Sequence, residues 1–315
     1  MDVVTVGEPL VQLNAVTRGP LRHVTHFERH VAGAELNFAI GCVRLGLSAG
    51  YVSRIGADEF GRCVLSTLRG EGVDVSQVRL DATRPTGVYF VQRGHPVPEQ
   101  SQVLYYRGGS AASVLGPADV NASYVAQARL LHLTGITPAL SASAHAACRK
   151  ALRSARAAGR QVSFDTNLRP QLWTRKGAWH TLLPFVEHAD IVVTDPADCE
   201  GLIGERNAAR AARRLLAKGV KVVAMKLGTQ GAVVFTRSRT VRHRGFRVPV
   251  EDPIGAGDAF AAGLVASLLQ RASLGKALET GVVCGPMVVT TRGDWENLPK
   301  LEEVPAFLGA MKAKV

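Results

Sequence analysis

The chain has 315 residues, 46% of them hydrophobic and only 6% aromatic, with a formal net charge of +12. This is enough apolar material for one large domain, and the small-residue bias favours a sheet covered by helices over an aromatic-rich β-sandwich. No apolar run approaches the roughly 20 residues of a membrane span, and the start, Met1 to Val6, reads as a strand rather than a signal peptide.

The five cysteines, Cys42, Cys63, Cys148, Cys199 and Cys284, form neither a CxxC pair nor zinc spacing, so reduced thiols in a cytoplasmic protein are expected. The positive charge is spread along the chain, as in Arg210, Arg213 and Arg214. It reads as a solvated face that also draws anionic substrates, not as a nucleic-acid surface.

Val3–Val6 is a short apolar run stopped by Gly7-Glu8-Pro9, as a buried first strand would be. Leu10–Ala15 and Phe27–Val31 read as more exposed strands. Leu36–Leu45 has helical spacing and is followed by Gly46. Gly50–Ile55 reads as a strand and Glu59–Gly70 as a helix. Gly87–Gln92 and Gln102–Arg107 alternate like the half-buried strands of a hairpin.

From about residue 118 the rhythm changes. Leu130–Thr134, Val162–Asp165, Ile191–Thr194 and Val222–Lys226 are apolar runs, with helical segments at Ser141–Ala158, Lys176–Glu187 and Asn207–Lys218 between them. That alternation predicts βαβ units and a parallel sheet covered on both faces. Ala232–Thr236 and Thr240–Arg244 form a further hairpin, and helices follow from Ala256. The expected architecture is a single α/β domain over 1–315, with a small sheet from insertions near 10–30 and 85–108 that serves as a lid.

The most informative stretch is Asp252-Pro253-Ile254-Gly255-Ala256-Gly257-Asp258, running into a small-residue helix. Free N–H groups at such a helix start suit an anion, and glycines admit a phosphate close to the backbone. Asp258, in the first turn, is expected to stay ionised there and to accept a hydroxyl proton while the N–H groups hold phosphoryl charge. The plainer alternative is a Gly-rich turn with an Asp cap. The stretch is not a dinucleotide fingerprint, since Phe260 holds the sixth position and the motif lies late in the chain. No GxxxxGK[ST] occurs, which excludes a Walker P-loop.

This segment resembles the C-terminal signature of the ribokinase-like (PfkB) carbohydrate kinases. Ala32-Gly33-Ala34-Glu35-Leu36-Asn37, Gly46 and Arg54-Ile55-Gly56-Ala57-Asp58 through Gly61 resemble the N-terminal one. The resemblance spans essentially the whole chain. It implies a Rossmann-like three-layer αβα core with a small β-sheet lid, and phosphorylation of a sugar by ATP with Mg²⁺. Further segments are similar to the 2-keto-3-deoxygluconate kinase branch, among them Gly7-Glu8-Pro9-Leu10-Val11, Tyr105-Tyr106-Arg107, Asp165-Thr166-Asn167-Leu168-Arg169 and Arg292-Gly293-Asp294. They imply a six-carbon keto sugar acid phosphorylated at its terminal hydroxyl. A fructokinase or other sugar kinase, or a non-catalytic sugar sensor on this fold, are the alternatives.

The resemblance implies a catalytic group of Gly255, Ala256, Gly257 and Asp258. Gly33, Ala34, Asn37 and Asp294 are expected at the sugar, with Tyr89 and Tyr105 over its apolar face. Arg107 and Arg169 are the expected partners of a sugar carboxylate. Asn167, Lys226, Gly228 and Gly231 are expected on the nucleotide side. Where the family has Asn-x-x-Glu, this chain has Asp195-Pro196-Ala197-Asp198, with Glu200 close behind. Asp195 and Asp198 are therefore the candidate Mg²⁺ ligands, although Asp195 also reads as a helix cap with Pro196 behind it. His23, His26 and His30 cluster without metal-site spacing. Sugar acid and ATP are the expected partners, with no nucleic acid or membrane, and with homo-oligomers formed through the lid.

Overall fold

The computed structural model describes residues 1–98, 100–169, 171–173 and 175–312. Its elements in chain order begin with β1 (Val3–Val6), β2 (Leu10–Ala15), β3 (Phe27–Ala32), α1 (Ala34–Arg44), β4 (Ala49–Gly56), α2 (Glu59–Gly70), β5 (Asp74–Asp81), β6 (Val88–Arg93) and β7 (Ser101–Tyr106). Then come α3 (Ala122–Gln127), β8 (Leu130–Thr134), α4 (Ala142–Ala157), β9 (Gln161–Asp165), α5 (Arg175–Glu187), β10 (Ile191–Thr194), α6 (Pro196–Ile203) and α7 (Ala208–Ala217). The chain continues with β11 (Val222–Lys226), β12 (Ala232–Phe235), β13 (Thr240–His243), α8 (Ala256–Leu269), α9 (Leu274–Val288) and α10 (Glu303–Lys312).

The apolar runs pair as a nine-stranded sheet in the order β13-β12-β11-β10-β9-β8-β1-β4-β5. It is parallel from β11 to β5, with β12 and β13 antiparallel at one edge. Strand side chains alternate between two cores. Val3, Ile191 and Val193 face the cluster under α1, α2, α8 and α9. Val4, Val6, Val192 and Val223 face the cluster under α4, α5, α6 and α7. The result is an α/β three-layer core. No helix among the described residues is long and apolar enough to cross a membrane.

A second sheet has the order β3-β2-β6-β7. Here the exposure expected of Leu10–Ala15 is corrected. The strand is interior to its sheet and almost wholly buried. Its polar side chains turn onto the core, where Gln12 donates to Asp294 Oδ1 at 2.9 Å and Asn14 donates to Asp252 Oδ2 at 2.8 Å. The edge strand β5 escaped the sequence reading because its alternation, Asp74 to Asp81, is mostly polar and only half buried.

Candidate active site

Gly255 caps the N-terminus of α8 with φ 82°, and no side chain caps that end. A Cβ on Gly255 would overlap the carbonyl oxygen of Asp294, so glycine is required on both counts. Ala256 and Gly257 open the helix, leaving first-turn N–H groups available to an anion. Asp258 follows in the same turn and is 9% exposed.

Two distant parts of the chain supply donors to Asp258. Asn37, on α1, donates from Nδ2 to Oδ2 at 2.9 Å. Asn167, just beyond β9 with φ 35°, donates from Nδ2 to Oδ1 at 3.3 Å. Asn167, expected on the nucleotide side, thus has its amide against Asp258. Asn37 Nδ2 also reaches Asp294 Oδ2 at 3.3 Å, while Tyr89 OH donates to Asp294 Oδ1 at 2.9 Å.

Burial is the largest influence on Asp258 and raises its pKa, opposed by Asn37, Arg169, Lys226 and Asn167. Desolvation thus works against the ionised form expected of Asp258, and the two amides and two cations work for it. Asp294 is pushed up to about 7, first by burial and also by the charges of Asp258 and Asp252.

Gly33, Ala34, Tyr89, Tyr105, Arg107, Arg169, Gly255, Asp258 and Asp294 line one cavity, together with Leu10 and Val103 of the second sheet. Tyr89 and Tyr105 are cross-strand partners with ring centroids 5.4 Å apart. Arg107 stacks 5.1 Å from the Tyr105 centroid. Arg107, an expected partner of the sugar carboxylate, already has an acidic partner in the protein: its Nε donates to Glu8 Oε2 at 2.6 Å and its Nη2 pairs with the same oxygen. Glu8 is held from the other side by Ser110, whose Oγ donates to Oε1 at 2.5 Å. Glu8, Gln12, Ser110 and Glu35 all belong to this neighbourhood without having been singled out. The sequence signal available for Glu8 and Glu35 was their place inside quoted motifs.

On the other side of the α8 turn, Lys226 ends β11 and donates from Nζ to both oxygens of Asp165 at 3.0 Å. Burial opposes the ammonium charge, and Asp165 more than restores it. A Cβ on Gly257 would sit 3.3 Å from Lys226 Nζ, so this cation borders the anion-ready turn. Gly228 and Gly231 shape the loop after Lys226.

Asp195 caps α6 through Ala197 and Asp198 N–H, with Pro196 at the first helical position. Asp198 accepts from Thr166 Oγ1 at 2.6 Å and from Leu168 N at 3.1 Å, and burial, with Asp195, pushes it up to about 6. Glu200 turns away to pair with Arg206.

Among the described residues no group of three or more His, Cys, Asp or Glu side chains converges as a metal site. The early histidines separate: His30 pairs with Glu296 at 2.6 Å, while His26 bonds Thr25.

The geometry joins a carboxylate, an uncapped helix start and flanking cations, as a phosphoryl-transfer site requires. Comparison with known proteins agrees. Residues 1–301 match the model of the pfkB family carbohydrate kinases. A 2-dehydro-3-deoxygluconokinase of Thermoproteus tenax is 45% identical, over 99% of this chain and 95% of its own length. One from Bacillus subtilis is 38% identical, over 99% and 97%. Among solved structures, a putative ribokinase II of E. coli in complex with ATP and Mg²⁺ superposes with a TM-score of 0.92 at 27% identity, covering 98% of this chain and 99% of that one. The chain therefore belongs to the pfkB family of carbohydrate kinases.

Proposed function

We propose that this kinase transfers the terminal phosphoryl group of Mg-ATP to the terminal hydroxyl of 2-keto-3-deoxygluconate, giving the 6-phosphate. The observation that carries the reading is the shared cavity, where Asp258 stands beside the uncapped α8 turn with Arg107 and Arg169 on its walls. The names of the two relatives support the substrate class.

In this mechanism Asp258 takes the proton of the attacking hydroxyl as the new O–P bond forms and the bond from that phosphorus to the departing ADP oxygen breaks. The α8 N–H groups receive the charge of the moving phosphoryl group, and Lys226 adds a cation beside Gly257. Asn37 and Asn167 hold the two oxygens of the base in register. Arg169 is the partner for the sugar carboxylate, with Arg107 restrained by Glu8 behind Tyr105.

The hard oxygen donors of Asp195 and Asp198, two carboxyls without imidazole or thiolate, fit a Mg²⁺ held largely by phosphates and water. When bound, that ion neutralises phosphate charge. A cytoplasmic location fits the use of ATP.

The second sheet acts as the lid. Its outer face carries Phe27, Phe90 and Tyr106 in successive edge-to-face contacts, with Tyr106 63% exposed, and supports pairing of two copies through the lid.

The test is an ATP-dependent phosphorylation assay over ketodeoxygluconate, fructose and ribose, with the product regiochemistry read by NMR. A clear preference for a neutral sugar would sink the assignment.

A further inference from the structure

The mechanism above leaves two buried amides of the second sheet without a role. Gln12 and Asn14 lie two residues apart on β2, on the face that also carries Leu10, a wall of the cavity. Both are fully buried. Each donates to a carboxyl from the far end of the chain: Gln12 Nε2 to Asp294 Oδ1 at 2.9 Å, and Asn14 Nδ2 to Asp252 Oδ2 at 2.8 Å. Their amide oxygens have no partner among the described residues. Burying an amide costs free energy that an apolar side chain would not. The two donated bonds are therefore what these residues contribute.

The two carboxyls belong to the two segments that build the site. Asp294 lines the cavity beside Asp258. Asp252 lies in the turn ahead of α8, where its Oδ1 accepts from Ile254 N at 3.1 Å and folds the chain around Pro253. Gly255 follows and opens α8. A Cβ there would overlap the Asp294 carbonyl oxygen, so the two segments also touch each other.

The second sheet holds this turn in two ways. Ile254 packs on its Leu10, Tyr89 and Val91 cluster, and Asn14 bonds Asp252. Apolar contact is non-directional, whereas a hydrogen bond fixes orientation. Only the bond from Asn14 therefore sets how the turn is aimed.

We propose that Asn14 is a positioning residue for phosphoryl transfer: through Asp252 it fixes the turn that aims the α8 N–H groups, so that the second sheet and the anion site are set as one unit. The proposal rests on the transfer role given to α8 above and does not depend on which sugar is used. Gln12 does the matching work at Asp294. Its Nε2 also reaches Tyr89 OH at 2.8 Å, and Tyr89 OH donates to the same Asp294 oxygen. β2 thus holds the phosphoryl side with one amide and the sugar side with the other.

The experiment measures kcat and sugar KM of the whole protein with ketodeoxygluconate, or with whichever sugar the wild type prefers. Asn14→Leu removes the donor without adding charge. Asn14→Asp sets carboxylate against carboxylate. Combining Asn14→Asp with Asp252→Asn exchanges the partners: the amide introduced at 252 donates to the carboxylate introduced at 14, and its oxygen still accepts from Ile254 N. Both single variants should lower kcat by about 10–100-fold with sugar KM little changed, the scale of a small misplacement, and the double variant should recover most of the loss. Gln12→Leu should instead raise sugar KM more than it lowers kcat.

A folded Asn14→Leu with wild-type kcat overturns the proposal. So does a double variant that regains the thermal midpoint but not the rate. Equal shifts of kcat and KM in the Asn14 and Gln12 variants, the pattern of packing alone, overturn it too. If Asn14→Asp does not fold, Asn14→Leu and the double variant decide.

Amide hydrogen exchange reads the turn without any substrate. Protection of the Ile254 N–H should fall by about three- to tenfold in Asn14→Leu, the equivalent of one hydrogen bond, and return in the double variant. Unchanged protection overturns the link from Asn14 to the turn whatever the sugar. Lost protection in Asn14→Leu, beside a wild type that phosphorylates no sugar, sinks the transfer reading of α8 and leaves the link standing.

Discussion

Asn37 donates from Nδ2 to Oδ2 of Asp258 at 2.9 Å, across 221 residues of sequence. The bond ties the first turn of α1 to the first turn of α8, and with Asn167 on Oδ1 it leaves the Asp258 carboxyl little freedom to rotate. Since the same Nδ2 reaches Asp294, one amide sets the spacing of two carboxyl groups.

Asp258→Asn should retain the fold and sugar binding while lowering kcat by about 10²–10⁴-fold, the usual range for a positioned general base. Steady-state kinetics beside calorimetric sugar affinity would check this. Turnover near that of the wild type would remove Asp258 from the mechanism.

Asn37→Ala should act through the base rather than replace it. Donation from Asn37 lowers the Asp258 pKa against the effect of burial. Removing it should move the acid limb of the kcat–pH profile upward, because Asp258 works only when ionised. An unmoved limb would mean that Asn37 serves packing alone.

The two arginines should separate in their effects. Arg169→Ala should lower kcat/KM for ketodeoxygluconate by about 10–100-fold, the equivalent of one charge-assisted pair of 1.5–3 kcal/mol, and affect fructose much less. Arg107→Ala leaves Glu8, 2% exposed, without its cation. It should therefore lower the thermal midpoint and weaken both sugars. Equal losses on both sugars in both variants would detach either arginine from carboxylate recognition.

Removal of divalent cations should abolish turnover, since the charge on ATP must be neutralised for transfer. Asp198→Asn should raise the Mg²⁺ concentration needed for half-maximal rate, with little change in sugar affinity. Full activity in excess EDTA would contradict the role given to the Asp195–Asp198 turn.

Local order was written into the sequence, and each legible feature depended on neighbours in the chain. The apolar runs at Leu130–Thr134 and Ile191–Thr194 are strands because a parallel sheet buries both of their faces. Asp195 with Pro196 starts α6, and Gly255 with Asp258 starts α8, because caps and first-turn groups act over three or four residues.

The tertiary structure alone decided which polar groups meet. Gln12 finds Asp294 across 282 residues, and Arg107 finds Glu8 across 99. Glu35 meets Thr134 and Thr137 only because α1 and β8 are laid against each other. No periodicity encodes such pairs, since they arise where the ends of distant strands and helices are stacked at one edge of the sheet. For the same reason the burial of β2 waited on the fold: desolvation depends on what covers a side chain, and the cover here comes from elsewhere in the chain.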